Sequence, residues 1–113
     1  MRQAEAMRDL EQIQLYDWNH IIEFLQDFYA LASTSGNYFS TELGERLFTK
    51  LPGPLGHEIQ ENWKKIEVNN EFDNIGIRIQ YIIFELKKIT YIQIQKELKQ
   101  KNVGFCKQIY SPQ

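Results

Sequence analysis

The chain is 113 residues long, carries a formal net charge of −2, and is 42% hydrophobic with 13% aromatic side chains. That composition suits one packed domain, small enough that joining further copies would add to its stability, and its acidity argues against a dedicated nucleic-acid binder. The single Cys106 excludes an internal disulfide, the polar opening Met1–Leu10 is no signal peptide, and no apolar run approaches a membrane span of about 20 residues, so a soluble, intracellular protein with no membrane partner is expected.

In chain order, the opening segment through Gln14 places Ala4, Met7 and Leu10 three apart, with Ile13 or Gln14 next, which predicts an amphipathic helix pausing near Tyr16. Asp17 is a good N-cap for a second helix from Trp18 to about Ala32, whose stripe is Ile21, Phe24 with Leu25, Phe28 and Leu31. The run Ser33-Thr34-Ser35-Gly36-Asn37 reads as a loop. Ser40 can cap a third helix running to about Lys50, with Glu42 in its first turn and Leu43, Leu47 and Phe48 facing inward.

Pro52 then stops the chain. It fixes its own φ and pushes Leu51 out of the α region, while Pro54 fits the first turn of a fourth helix from about Pro54 to Ile66. Leu55, Ile59 and either Trp63 or Asn62 form that helix's inner face. Gly53 and Gly56 suit a tight turn and a close backbone approach. The result is a helix–corner–helix with an apolar elbow.

Asn69-Asn70 marks another break, and Asp73 can cap a long isoleucine-rich segment from Asn74 to about Lys99. Residues 75–80 alternate like a strand, but Ile75, Ile79, Ile82, Leu86 and Ile89 step at helical spacing and favour a helix. Thr90-Tyr91 is a candidate interruption with a separate final helix beyond it. From Asn102 the pattern fades, and Val103, Phe105 and Tyr110 are expected in a loosely packed tail over 102–113. The expected architecture is one all-α domain over 1–113, a small bundle of five or six helices.

Charge divides this chain. Residues 1–73 hold six Lys/Arg against 13 Asp/Glu, and residues 74–113 hold seven against two. Such a split favours head-to-tail contact between copies or a basic end that meets phosphate, and it also fits two ordinary solvated faces.

Catalytic and metal chemistry find little to use. His20 and His57 are the only histidines, and position 61 is Glu, so His57-Glu58 is no H-E-x-x-H pair. Cys106 has Lys107 beside it but no partner set for a nucleophile, and the P-G-P-L-G run lacks the G-K-[ST] ending of a phosphate loop. Glu42 and Glu45 read as solvated carboxylates. No enzyme, metal or cofactor is expected. Lys87, Lys88, Lys96 and Lys99, with Lys101 and Lys107, could meet phosphate while Tyr91, Phe105 and Tyr110 stack on bases; the same lysine spacing also describes a solvated helix face.

The run from Gly36 to Trp63, GNYFSTELGERLFTKLPGPLGHEIQENW, resembles the coat-protein region of plant pararetroviruses of the badnavirus and tungrovirus type, in the Caulimoviridae. Asn74–Ile89, Ile94–Lys99 and Phe105–Lys107 are similar to the same proteins further on, so the likeness covers about residues 17–110. It implies a Gag-type capsid protein with a fold like the retroviral capsid C-terminal domain, a small helical domain that pairs with itself to link capsid subunits. Its place would be the virion, and the cytoplasm or nucleus of the host cell. The resemblance implies a core of Phe24, Phe28, Leu31, Leu47, Phe48, Leu51 and Pro52, to which the apolar flank of the corner adds Trp63, and a contact surface on the third helix at Glu42, Glu45, Arg46 and Thr49. Ile77 and Ile83, with Ile94, fall off the main stripe of the long helix and are a second candidate surface, unless a closed bundle buries both stripes. Family members carry a Cys-His zinc knuckle downstream, whereas these residues hold only Cys106. A nucleic-acid-binding adaptor using the basic half is the competing expectation.

Overall fold

Local chemistry accounts for most helix ends in the computed structural model, which describes residues 2–66 and 70–101. Helix α1 spans Gln3–Gln12, and a 3-10 turn at Trp18–His20 leads directly into α2, Ile21–Thr34. Then come α3 (Thr41–Thr49), α4 (Gly53–Lys64), a 3-10 turn at Asn70–Phe72 and α5 (Ile75–Lys101). The fold is all-α, with five α-helices and no strand among the described residues. Contacts divide the chain after Ile82 into two compact units, Met1–Ile82 and Ile83–Gln113.

In the first unit, Asp17 accepts a hydrogen bond from the Asn19 N–H at 2.9 Å and opens the turn that feeds α2. Helix α2 closes on Gly36, whose φ of +79° suits a residue with no Cβ. The Gly36 N–H donates to the Ser33 carbonyl and the Asn37 N–H to the Ala32 carbonyl, satisfying carbonyls that the helix end would leave unpaired. Ser40 Oγ accepts from the Leu43 N–H at 3.2 Å and starts α3.

Helices α1 and α2 pack together, as do α3 and α4. The innermost side chains are Leu10, Leu25, Phe28, Leu47, Phe48, Ile59, Ile75 and Ile82. Phe24 and Leu51 are also buried, whereas Leu31, Pro52 and Trp63, expected in the core, are only half-buried. Leu31 sits at the edge of the face that Phe24, Phe28 and Ala32 carry into the core, and Pro52 lies in the corner itself as the cap of α4.

Three further expectations are corrected. Helix α1 buries Ala6 and Leu10, one turn apart, and leaves Ala4 exposed and Met7 half-buried, so its inner face is rotated from the three-apart reading. Asn74, not Asp73, caps α5: its Oδ1 accepts from the Ile77 N–H at 2.9 Å. Helix α5 also runs through Thr90-Tyr91 to Lys101 without a break. The tail residues Val103, Phe105, Cys106, Lys107 and Tyr110 lie outside the described residues.

The elbow depends on two glycines for different reasons. Gly53 follows the α4 cap Pro52 and holds φ at +68°. Gly56 is buried against the Leu51 carbonyl and Cβ, and a side chain there would overlap backbone. Gly56→Ala is expected to cost about 1–3 kcal/mol, because the backbone on the other side of the corner cannot yield as a side chain would. A lowered denaturant midpoint with unchanged slope would show this, and a neutral result would mean the corner can open freely.

Candidate functional site

The most constrained polar group in the first unit is Arg78, in the first turns of α5. Its Nε and Nη2 donate to the two carboxylate oxygens of Asp73 at 2.9 and 2.8 Å, a bidentate pair. Both side chains are buried, at 5% and 9% exposure. The guanidinium carbon lies 5.0 Å from the Trp63 ring centroid and 5.5 Å from that of Phe48, within cation–π range of both. It also rests on Gly44, where an added Cβ would collide with Nε, Cδ and Cζ.

Four segments therefore meet at one cation. Helix α3 supplies Gly44 and Phe48, α4 supplies Trp63, the turn before α5 supplies Asp73, and α5 supplies Arg78. Trp63 stacks at 5.5 Å on Phe48 and meets Tyr81 edge-on at 5.2 Å, extending the same cluster. A groove beside it is lined by Thr41, Glu45, Gln60 and Lys64. With its charge neutralised by Asp73 and its guanidinium packed beside two rings, Arg78 is a clamp that fixes the α3–α4 elbow to the start of α5.

A second tie holds α1. Lys50, the C-cap of α3, donates to the Ile13 carbonyl at 2.9 Å and the Glu11 carbonyl at 3.3 Å, taking up acceptors at the end of α1. Burial pushes its ammonium below the usual lysine value; Arg46 adds to that and Glu11 opposes it.

Of the expected contact residues, Glu42, Glu45, Arg46 and Thr49 all stand exposed on α3. Arg46 bonds Glu42 at 2.9 Å and approaches Glu11 at 3.8 Å, and Thr49 Oγ1 donates to the Arg46 carbonyl. Ile77 is half-buried in the first unit and Ile83 half-buried in the second, while the Ile94 side chain lies outside the description. Lys87, Lys88 and Lys96 are exposed on α5, and the Lys99 side chain is likewise outside it. Lys88 pairs with Glu85 at 3.3 Å and stands 5.3 Å from the Phe84 ring centroid.

Sequence reasoning missed the clamp, because Arg78 counts there as one of several basic residues among isoleucines. One partial signal was present: Asp73 and Asn74 are both cap-competent and a helix uses one, which leaves a second polar group at the start of α5 without a local role. Among the described residues no group of His, Cys, Asp or Glu could hold a metal ion, and no helix is long and apolar enough to cross a membrane.

Fold and clamp together define a small helical domain whose buried polar groups hold its own helices in place. The whole chain, residues 1–113, matches the family described as the caulimovirus coat protein, conserved domain, and the chain belongs to that family. Its role is accordingly structural, in the coat of the virion. It is 26% identical over 109 residues to Polyprotein P3 of Commelina yellow mottle virus, a match covering 90% of this chain and 6% of that polyprotein. No solved structure matches the chain.

Proposed function

We propose that this coat domain links capsid subunits by associating with itself through its helical surfaces. The observation that carries the reading is a closed core beside large apolar side chains exposed to solvent: Ile22, Tyr29 and Phe39 in the first unit, Phe84, Tyr91 and Ile92 in the second. Exposed apolar groups clustered on a folded domain favour contact with another protein surface. Repeated weak contacts, multiplied by symmetry, then yield a stable shell. Membership in a coat-protein family supports a second copy as the partner.

The exposed side of α3 is one candidate contact. Its Glu42, Glu45, Arg46 and Thr49 present both charges, so two copies in opposite orientation could exchange ion pairs. Arg46→Glu is expected to weaken self-association while leaving the monomer folded, since exposed ion pairs such as Arg46–Glu42 contribute only about 0–1 kcal/mol. Light scattering across a concentration series, with circular dichroism as the folding control, reads both. Unchanged association would move the contact away from α3. A wild-type chain that stays monomeric at millimolar concentration would end the reading itself.

A further inference from the structure

Two exposed strips in different parts of the chain have the same spacing and opposite charge. On α2, Ile22 and Tyr29 lie two helical turns apart and both face solvent, an axial rise of about 10.5 Å. The Tyr29 ring meets Tyr38 edge-on at 5.6 Å, and Tyr38 meets Phe39 at 5.0 Å, which widens this strip with an exposed phenyl ring. On α5, Phe84 and Tyr91 are also two turns apart and exposed, with Ile92 beside them.

Their surroundings differ in sign. From Asp9 to Glu45 the chain carries seven carboxylates and no Lys or Arg, and Glu23 and Asp27 stand exposed on α2 next to its strip. From Phe84 to Lys96 it carries three lysines and one carboxylate, the buried Glu85 that pairs with Lys88 at 3.3 Å, which leaves Lys87 and Lys96 as the excess positive charge of this strip. His20 Nδ1 lies 3.9 Å from Glu23 and offsets its charge only when the imidazole is protonated.

We infer that the acidic, aromatic face of α2 receives the basic, aromatic face of α5 from a second copy of this chain. This rests on the self-association proposed above and deepens it by naming the pair of surfaces. Two identical acidic strips would repel each other, as would two basic ones, so like-to-like pairing of either face is disfavoured and unlike pairing is selected. Such a contact is heterologous: each copy gives one face and receives with the other, and repetition closes a ring or extends a lattice. A coat needs contacts that propagate in this way, which a single two-fold pairing does not supply.

The test is cross-linking in trans. In a Cys106→Ser background, a Tyr29→Cys chain and a size-tagged Tyr91→Cys chain are mixed and treated with a short bismaleimide. Heterodimers formed between the two chains are expected to exceed homodimers of either one. In parallel, Tyr91→Asp is expected to weaken self-association about thirtyfold or more if this ring is a central anchor, and both Lys87→Glu and the pair Glu23→Lys with Asp27→Lys are expected to weaken it. Mixing the Lys87→Glu chain with the Glu23→Lys, Asp27→Lys chain should restore a contact.

All these substituted contact residues are exposed, and circular dichroism separates loss of contact from loss of fold. Association that survives every substitution, or cross-links that join only like positions, would overturn the inference and leave the proposed function standing. Loss of oligo(dT) binding in Lys87→Glu with association unchanged would also overturn it, assigning the α5 face to nucleic acid. A wild-type chain that never associates defeats the proposed function first, a result read before any variant is made.

Discussion

Phe28→Ala is expected to lower the stability of the first unit by about 3–5 kcal/mol. Phe28 has 0% exposure and sits in the middle of α2, with the Phe24 ring centroid 6.0 Å away. Removing the ring forfeits its transfer from water and leaves a cavity that the surrounding side chains fill only in part. Domains of this size are stable by about 5–15 kcal/mol, so one substitution removes a large share of the total. Thermal or denaturant unfolding followed by circular dichroism gives the number. Leu31→Ala, one turn on and half-buried, serves as the comparison and should cost clearly less. A Phe28→Ala loss below about 1 kcal/mol would mean that α2 does not pack through this face.

The second large effect is at the clamp. Asp73→Ala leaves the Arg78 guanidinium buried beside two rings without its counter-charge, and breaking a buried pair in this way costs about 3–5 kcal/mol. Arg78→Met, which keeps the stem and removes the charge, instead strands the Asp73 carboxylate. Each single variant is therefore expected to be strongly destabilised. The double variant Asp73→Ala with Arg78→Met should recover much of the loss, because no uncompensated charge remains in the interior. A double-mutant cycle in urea measures the coupling. Additive losses would show that the two side chains contribute by packing and not through their mutual charge.

These two sites mark different degrees of legibility. Phe28 belongs to a stripe that repeats from Ile21 to Leu31, and helical periodicity alone puts it on an inner face. The Ser40 cap, the Pro52 stop and the close approach at Gly56 could also be read in advance, since each depends on a residue and its near neighbours in the chain. Arg78 could not be read so. Its partners Gly44, Phe48 and Trp63 belong to earlier helices, α3 and α4, and only Asp73 is local.

The same distinction explains the α1 face and the α5 cap. Ala4 and Ala6 are equally apolar, and packing against α2 decides that Ala6 is covered. Asp73 and Asn74 cap equally well by propensity, and the buried Arg78 draws away the carboxylate, leaving the amide to hold the helix. Thr90-Tyr91 looks like a break by local preference, yet a weak propensity of a few tenths of a kcal/mol per residue does not end an established helix.

By itself, the amino-acid order determined an all-helical chain, the proline corner, most of the caps and the acidic-to-basic gradient, because these follow from chemistry within a few residues. Tertiary structure alone decided which alanine is inside, which residue caps α5, and that one arginine among the late basic residues becomes the buried tie of the elbow. Those outcomes depend on surfaces brought together from distant parts of the chain, where burial raises the cost of an unpaired charge and close packing leaves one arrangement that satisfies it.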